Sequence, residues 1–229
     1  MKKFILLFLL ASMMSCQKKV YASFDINIES VDKSDKRFYD LFEITILRNN
    51  KVFRSLKPDE YTPSLDQRIE IDSIDKGKYT FVYTNLFGDK INEEQVVAES
   101  KNYRISINPD KSIKKIANLA FESLKDSNVK LIYQSKGCFH HNADSVVLEN
   151  KGNDYFVWRG QRSKKIDKKE LAYFIDIENR IRQIPQNGGC TTTGIYIFEY
   201  KGKYDTIIDG TCHFHLYDKI SGYLKKNNL

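Results

Sequence analysis

The residues that could do chemistry are four histidines, each of which lies within three positions of a cysteine. The two clusters read Cys138-Phe139-His140-His141 and Cys212-His213-Phe214-His215. Thiolate and imidazole are ligands that zinc and copper prefer, so Cys138, His140, His213 and His215 are candidates for a metal site. Cys138 could instead be a thiol nucleophile beside His140. That role needs a base within hydrogen-bond reach and a third group that orients the base, and the sequence shows neither arrangement.

The first sixteen residues, MKKFILLFLLASMMSC, have the features of a targeting signal. Two lysines precede an apolar run from Phe4 to Leu10, and the small Ser15 stands directly before Cys16. The run is too short to span a bilayer, so the pattern predicts a cleaved export signal. The segment resembles a bacterial lipoprotein signal of the loose Bacteroidota type, which implies a diacylglycerol on the Cys16 thiol and cleavage before it. An ordinary secretory signal is the alternative.

The residues after Cys16 indicate which face of the membrane the protein occupies. In Bacteroidota, export of lipoproteins to the cell surface goes with acidic residues after the cysteine. Here the sequence is Gln17-Lys18-Lys19. The resemblance therefore implies an outer-membrane lipoprotein that faces the periplasm, held to the membrane by its acyl chains.

An exported protein meets an oxidising compartment in which paired cysteines form disulfides. A hairpin centred near Lys201-Gly202 places residue 190 opposite residues 212–214, so we expect a disulfide between Cys190 and Cys212 and a free thiol at Cys138. A disulfide that used Cys138 is an alternative. The Cys190–Cys212 bridge and a metal site compete directly, because both cannot use Cys212.

Charge divides the chain near residue 110. Residues 17–110 have a net charge of −2 and residues 111–229 have a net charge of +7. The turn signal Asn108-Pro109-Asp110 stands at the same place. We therefore predict a signal peptide over 1–16, one domain over 17–110 and a second over 111–229.

The first half shows the two-residue period of half-buried β-strands. Val20, Ala22, Phe24, Ile26 and Ile28 alternate with polar residues. The same period returns in Phe42-Ile44-Ile46, Ile69-Ile71, Tyr79-Phe81-Tyr83 and Tyr103-Ile105-Ile107. Six or seven short strands separated by turn residues predict an antiparallel β-sandwich.

Gly77-Lys78-Tyr79 follows the polar turn Asp75-Lys76, and the half closes with Tyr103–Ile107. This arrangement resembles the carboxypeptidase-regulatory-like, transthyretin-like sandwich, in which Gly-x-Tyr begins a strand. The resemblance covers about residues 20–108. It implies a scaffold or binding domain without catalytic residues.

The second half predicts an α+β domain. Asp167 and Glu170 have capping-box spacing, and the apolar period that follows predicts a helix running to Pro185. Strands are expected over Val129–Gln134 and Ser145–Trp158. A hairpin is expected from Thr191–Tyr200 and Lys203–Cys212, followed by a short helix over Leu216–Lys225. The Cys138, Cys190 and Cys212 segments also resemble uncharacterised exported proteins of Bacteroidota, which implies one domain over about 129–224 and no known activity.

A dense basic run follows Trp158 and contains Arg159, Arg162, Lys164 and Lys165. Positive potential attracts phosphate and carboxylate groups, so these four residues are candidate ligands for an anionic envelope component, with a solvated loop as the alternative. The predicted location in the cell envelope argues against nucleic acid as the partner.

The sequence contains no P-loop, Rossmann or zinc-protease motif, which argues against those enzyme classes. We expect a lipid-anchored, non-enzymatic binding or structural module of the cell envelope, without a cofactor. A metal-binding or thiol-active envelope protein that uses the Cys/His clusters is the alternative.

Overall fold

The computed structural model describes residues 21–33, 39–186 and 188–229. The predicted signal peptide, with Cys16, lies outside these ranges. The described residues form two compact units. The first holds the residues up to Thr84 together with Lys90–Pro109, and the second holds Asn85–Asp89 and Asp110–Leu229. Within the described ranges, neither helix is long and apolar enough to cross a membrane.

The described part of the first unit contains two β-sheets. Its strands are β1 (Ala22–Ile28), β2 (Ile44–Arg48), β3 (Lys51–Leu56), β4 (Arg68–Ile74), β5 (Gly77–Thr84), β6 (Lys90–Val97) and β7 (Asn102–Ile107). One sheet has the order β4-β1-β7 and the other has the order β3-β2-β5-β6. The pairing is antiparallel except between β1 and β7, which run parallel. The predicted β-rich sandwich is therefore present, but it is not purely antiparallel.

The predicted two-residue period packs the first unit. In β1, alternate side chains are buried, and Phe24 lies with its ring centroid 5.1 Å from the rings of both Tyr79 and Phe81 on the other sheet. Gly77 begins β5, as the Gly-x-Tyr pattern predicts. The expectation for Phe42 is wrong: it precedes β2 and is 61% exposed.

The described part of the second unit contains a six-stranded antiparallel sheet and two helices. Its elements are β8 (Asn128–Gly137), β9 (His140–Lys151), β10 (Asp154–Arg159), β11 (Arg162–Ile166), α1 (Lys168–Ile181), β12 (Thr193–Tyr200), β13 (Lys203–Asp209) and α2 (Leu216–Lys226). The sheet order is β11-β10-β9-β8-β12-β13. Side chains from one face of this sheet share a core with both helices, among them Leu131, Leu148, Phe174, Phe198 and Ile220.

Helix α1 begins where the sequence predicts. The Asp167 carboxylate accepts from the backbone N–H of Glu170, and the Glu170 carboxylate accepts from that of Asp167. The helix ends at Ile181 rather than continuing to Pro185, and Ile184 bonds back to Ile181 in a tighter turn. A proline disfavours helical backbone in the residue before it, which accounts for the early end.

Several strands of the second unit differ from the prediction. Ser145–Trp158 is divided between β9 and β10 by a turn at Gly152, which has a positive φ that glycine adopts without strain. The basic run after Trp158 forms strand β11 instead of a loop. Strand β13 ends at Asp209, so Cys212 lies beyond the ladder.

Helix α1 also holds the irregular segment that begins at Asp110. The Glu178 carboxylate is fully buried and accepts from the backbone N–H groups of Ala120, at 2.8 Å, and Phe121, at 2.7 Å. Arg180 donates to both the carbonyl and the carboxylate of Asp110. Burying a polar group costs free energy unless the group is hydrogen-bonded. The segment and the helix therefore supply the hydrogen-bond partners that each other's buried polar groups need.

Candidate functional site

In the described part of the second unit, both helices pack on one face of the six-stranded sheet, and no helix covers the other face. Because side chains alternate along strands, the residues between the core positions point to this face. They are half-exposed and mostly apolar at the centre: Ile132, Val147, Phe156, Trp158, Ile195 and Ile197. The helices pack on the opposite face, so this open face is a candidate binding surface.

A groove of about 700 Å³ lies at the β10–β11 turn, where the open face ends. Its walls come from four strands and the turn, and include Lys130, Ile132, Ser145, Arg159, Gly160 and Arg162. Ligand sites in proteins are clefts of about 300–1,000 Å³ that combine apolar walls with a few polar groups. The groove has this size and this mixture.

Two cations of the groove have no carboxylate partner among the described residues. Within the described ranges, Lys130 makes no ion pair, and Glu199, which lies opposite it in the ladder, accepts instead from the Tyr204 hydroxyl at 3.3 Å. The one hydrogen bond that Arg162 makes within the described ranges goes to the backbone carbonyl of Asn228, at 3.4 Å. Both side chains are therefore available to an anion in the groove.

Arg159 lines the same groove but is held by a carboxylate. Its guanidinium donates to both oxygens of Asp144, at 3.3 Å and 2.8 Å, and to the carbonyl of Leu229 at 3.2 Å. A two-point guanidinium–carboxylate pair fixes orientation as well as charge. Arg159 is thus a rigid part of the groove wall.

A buried phenol lies behind this pair. The Tyr217 hydroxyl is buried and has no hydrogen-bond partner among the described residues. Burial and the charge of nearby Asp144 raise the pKa of Tyr217, while Arg159 lowers it. Its ring stacks on that of Tyr133, with centroids 4.4 Å apart. Tyr217 therefore stays a neutral donor next to the groove wall at all ordinary pH values.

The other two predicted anion-binding residues lie away from the groove wall. The Lys164 ammonium donates to Glu170 at 2.5 Å and to the Asn227 side chain at 2.8 Å, beside the end of α2. Lys165 pairs with Asp154 at 2.8 Å. Of the four basic residues, the structure brings Arg159 and Arg162 together at the groove. Lys164 and Lys165 are each paired with a carboxylate away from the groove.

The cysteines pair as the hairpin geometry predicts. Cys190 and Cys212 form a disulfide with their Cα atoms 5.4 Å apart, and the Cys190 N–H donates to the Gly210 carbonyl. The backbone of Gly188 lies so close to Gly210, just after β13, that a Cβ at Gly188 would be 2.0 Å from the Gly210 carbonyl oxygen. The disulfide thus closes the loop between α1 and β12 onto the end of β13.

Cys138 is a free, exposed thiol in the turn between β8 and β9, next to the fully exposed Phe139. His140 lies over Gly137 with its Nε2 2.9 Å from the Ser135 hydroxyl. His213 and His215 lie between β13 and α2, where the backbone is irregular. In the described ranges, no three His, Cys, Asp or Glu side chains converge as a metal site would require.

No protein-family model matches this chain, and no curated protein matches it in sequence. Among solved structures, it is similar to a single B repeat unit of the collagen-binding surface protein of Staphylococcus aureus. The sequences are 11% identical, and the match covers 85% of this chain and all of that chain with a TM-score of 0.19. A likeness this remote supports no conclusion about fold or function.

Proposed function

We propose that this protein is a lipid-anchored, non-enzymatic binding module of the cell envelope, and that its ligand is an anionic component bound in the groove of the second unit. Acylation of Cys16 and a position on the periplasmic side of the outer membrane are part of the proposal, and they rest on the sequence of the signal.

The observation that carries the proposal is the pair of cations, Lys130 and Arg162, on the wall of one groove without carboxylate partners. The other basic side chains of the β10–β11 hairpin, those of Arg159, Lys164 and Lys165, are each paired with a carboxylate. Lys130 on β8 and Arg162 on β11 have no carboxylate partner in the described ranges, and both line the groove. These side chains are donors of charge-assisted hydrogen bonds, which an anion in the groove would accept.

Titration calorimetry with glycerol phosphate, at low and high salt, tests ligand binding. Glycerol phosphate carries the phosphate chemistry of a lipid headgroup, and glucuronate in a parallel titration carries that of an acidic glycan. We expect binding of one of these anions that weakens as salt rises. The double variant Lys130→Gln, Arg162→Gln should weaken it at least about tenfold, since hydrogen bonds to charged groups contribute about 1.5–3 kcal/mol each.

The matched control is Lys168→Gln with Lys169→Gln, which removes the same charge at the exposed start of α1. If both double variants weakened binding equally, the effect would be one of net charge and the groove would not be the site. The anchor has its own test: acyl-chain labelling should be present in the natural chain and absent in Cys16→Ser. Equal labelling of the two would refute lipidation at that residue.

A further inference from the structure

Strand β9 extends beyond the end of its neighbour β10. It pairs with β8 from His140 to Glu149, whereas its pairing with β10 begins only at Val147. The sheet order places no other strand of the described residues on that side of β9. The stretch from His140 to Val146 therefore has a free edge, as far as the structure describes the chain. A free edge is a template for pairing with another extended chain.

The groove of the second unit lies along this free edge. Ala143, Asp144 and Ser145 of β9 line it, and so do Gly160 and Gln161 in the β10–β11 turn. The turn stands where β10 would otherwise continue beside β9. A chain that lay in the groove next to β9 would therefore be in line with β10 and would have one end at the turn.

The two cations without carboxylate partners reach the groove from opposite faces of the sheet. Lys130 precedes the core residue Leu131, so it points to the open face. Arg162 pairs with Arg159, which is two positions after the core residue Val157, so Arg162 points to the helix-covered face. A site that is lined from both faces lies in the plane of the sheet, at its edge. This is the position of an added strand.

The ladder geometry shows which backbone groups this edge offers. Lys151 and Asp154 flank the two-residue turn between β9 and β10, so they exchange hydrogen bonds with each other. Every second residue of β9 before Lys151 then directs its N–H and C=O groups to the same side. Past the end of β10, this series continues with Ser145, Ala143 and His141.

Most of these backbone groups are open to a partner. The Ser145 N–H donates to the Asp144 carboxylate at 2.8 Å, so this one donor is already used. The N–H and C=O groups of Ala143 and His141 make no hydrogen bond outside the β8–β9 ladder among the described residues. Alternating main-chain donors and acceptors match those of another extended peptide, which carries the same groups at the same spacing.

We infer that the groove binds the carboxyl-terminal segment of an extended peptide, which adds a strand to the free edge of β9 and places its terminal carboxylate between Lys130 and Arg162. This inference rests on the proposed function and specifies its anion. Main-chain pairing positions the peptide, and the carboxylate accepts charge-assisted hydrogen bonds from the two cations. Because β9 runs from His140 towards the β10–β11 turn, a peptide whose carboxyl end lies at the turn runs parallel to β9.

The test is titration calorimetry of the full chain with a synthetic peptide of alternating threonine and valine, acetylated at its amino end. The peptide with a free carboxyl end should bind at least about tenfold more tightly than its amide, because charge-assisted hydrogen bonds are the stronger ones. Two further peptides are N-methylated at one or the other set of alternate residues. Only one set faces β9, so one of these peptides should lose binding and the other should keep it.

Ala143→Pro tests the edge from the side of the protein. Proline removes the Ala143 N–H and is tolerated in strands where that N–H faces solvent. The variant should weaken binding of the free-carboxylate peptide at least about tenfold, since the lost donor belongs to the pairing. Ala143→Ser keeps the N–H, is the matched control and should leave binding unchanged. In the natural chain, peptide should slow amide exchange at Ala143 and leave Asn142, whose N–H faces β8, as it was.

The outcomes separate the two proposals. If glycerol phosphate or glucuronate binds but the peptide does not, strand addition is wrong and the anion site stands. If the free and amidated peptides bind equally, the place assigned to the terminal carboxylate is wrong. Equal binding of the two N-methylated peptides would refute main-chain pairing. If neither the small anions nor the peptide binds, the proposed function and this inference fail together.

Discussion

Replacing Glu178 with glutamine tests how the second unit is held together. The Glu178 carboxylate accepts two backbone N–H groups and the Arg182 Nε, the last at 2.8 Å, and its side chain is 0% exposed. Glutamine offers one acceptor oxygen and an amide group that must face a donor. The change therefore removes a buried charge from its partner and leaves at least one donor unsatisfied.

The expected cost follows from these contacts. Removing one partner of a buried ion pair costs about 3–5 kcal/mol. Here Arg182 is 18% exposed and keeps Asp205 as a second partner, so the lower end of the range applies. We expect Glu178→Gln to destabilise the second unit by about 3 kcal/mol. With a urea dependence of roughly 2 kcal/mol per molar, the midpoint falls by about 1.5 M.

Urea unfolding followed by Trp158 emission measures this change, because Trp158 belongs to the second unit. The matched control is Glu122→Gln, whose side chain is 45% exposed and lies 3.5 Å from Lys115. It should change stability by no more than about 0.5 kcal/mol. Equal midpoints for the two variants would refute the role assigned to Glu178.

Three further predictions concern stability. Replacing Cys190 and Cys212 together with alanine should lower the free energy of unfolding by roughly 3 kcal/mol, because the bridge spans a separation of 22 residues. Melting temperatures with and without reductant measure this loss. A natural protein whose melting temperature did not respond to reductant would contradict the prediction. Gly188→Ala should lower the free energy of unfolding by at least about 2 kcal/mol, because the new Cβ would clash with the backbone of Gly210. At Gly189 a Cβ meets open space, so Gly189→Ala should be near neutral. Equal melting temperatures of the two variants would contradict this prediction. The pKa of Glu170 is lowered to about 2, chiefly by the hydrogen bond from Lys164. The ionised Glu170 carboxylate therefore contributes its full stabilisation above the ordinary pKa of 4.5, and this contribution is lost as pH falls towards 2. Stability of Glu170→Gln should fall less over that window, and parallel pH profiles for the two proteins would show that the pairing has no such effect.

Local patterns predicted the local structure. The capping box fixed the start of α1, because Asp167 and Glu170 satisfy each other's backbone within four residues. The Lys201-Gly202 turn fixed the register of β12 against β13, and that register placed Cys190 near Cys212. These features depend on neighbours in the chain, which is why sequence alone was enough.

The groove could not be predicted in the same way. The basic run was recognised, but which of its cations are neutralised depends on Asp144, Glu170 and Asp154, brought together by sheet pairing and by α1. Lys130 was missed because it stands alone in a strand, and nothing nearby in the sequence marks it. Tyr217 was missed because its environment forms only when α2 packs on the sheet.

The most direct test of the central claim is to map the anion by NMR. In a titration of isotope-labelled protein with glycerol phosphate or glucuronate, we predict that backbone and side-chain shifts change at Lys130, Ser145 and Arg162. Residues of the first unit, such as Lys51 and Arg54 on β3, should remain unchanged. Shifts that spread evenly over exposed lysines and arginines of both units, or no shifts with either anion, would contradict the account.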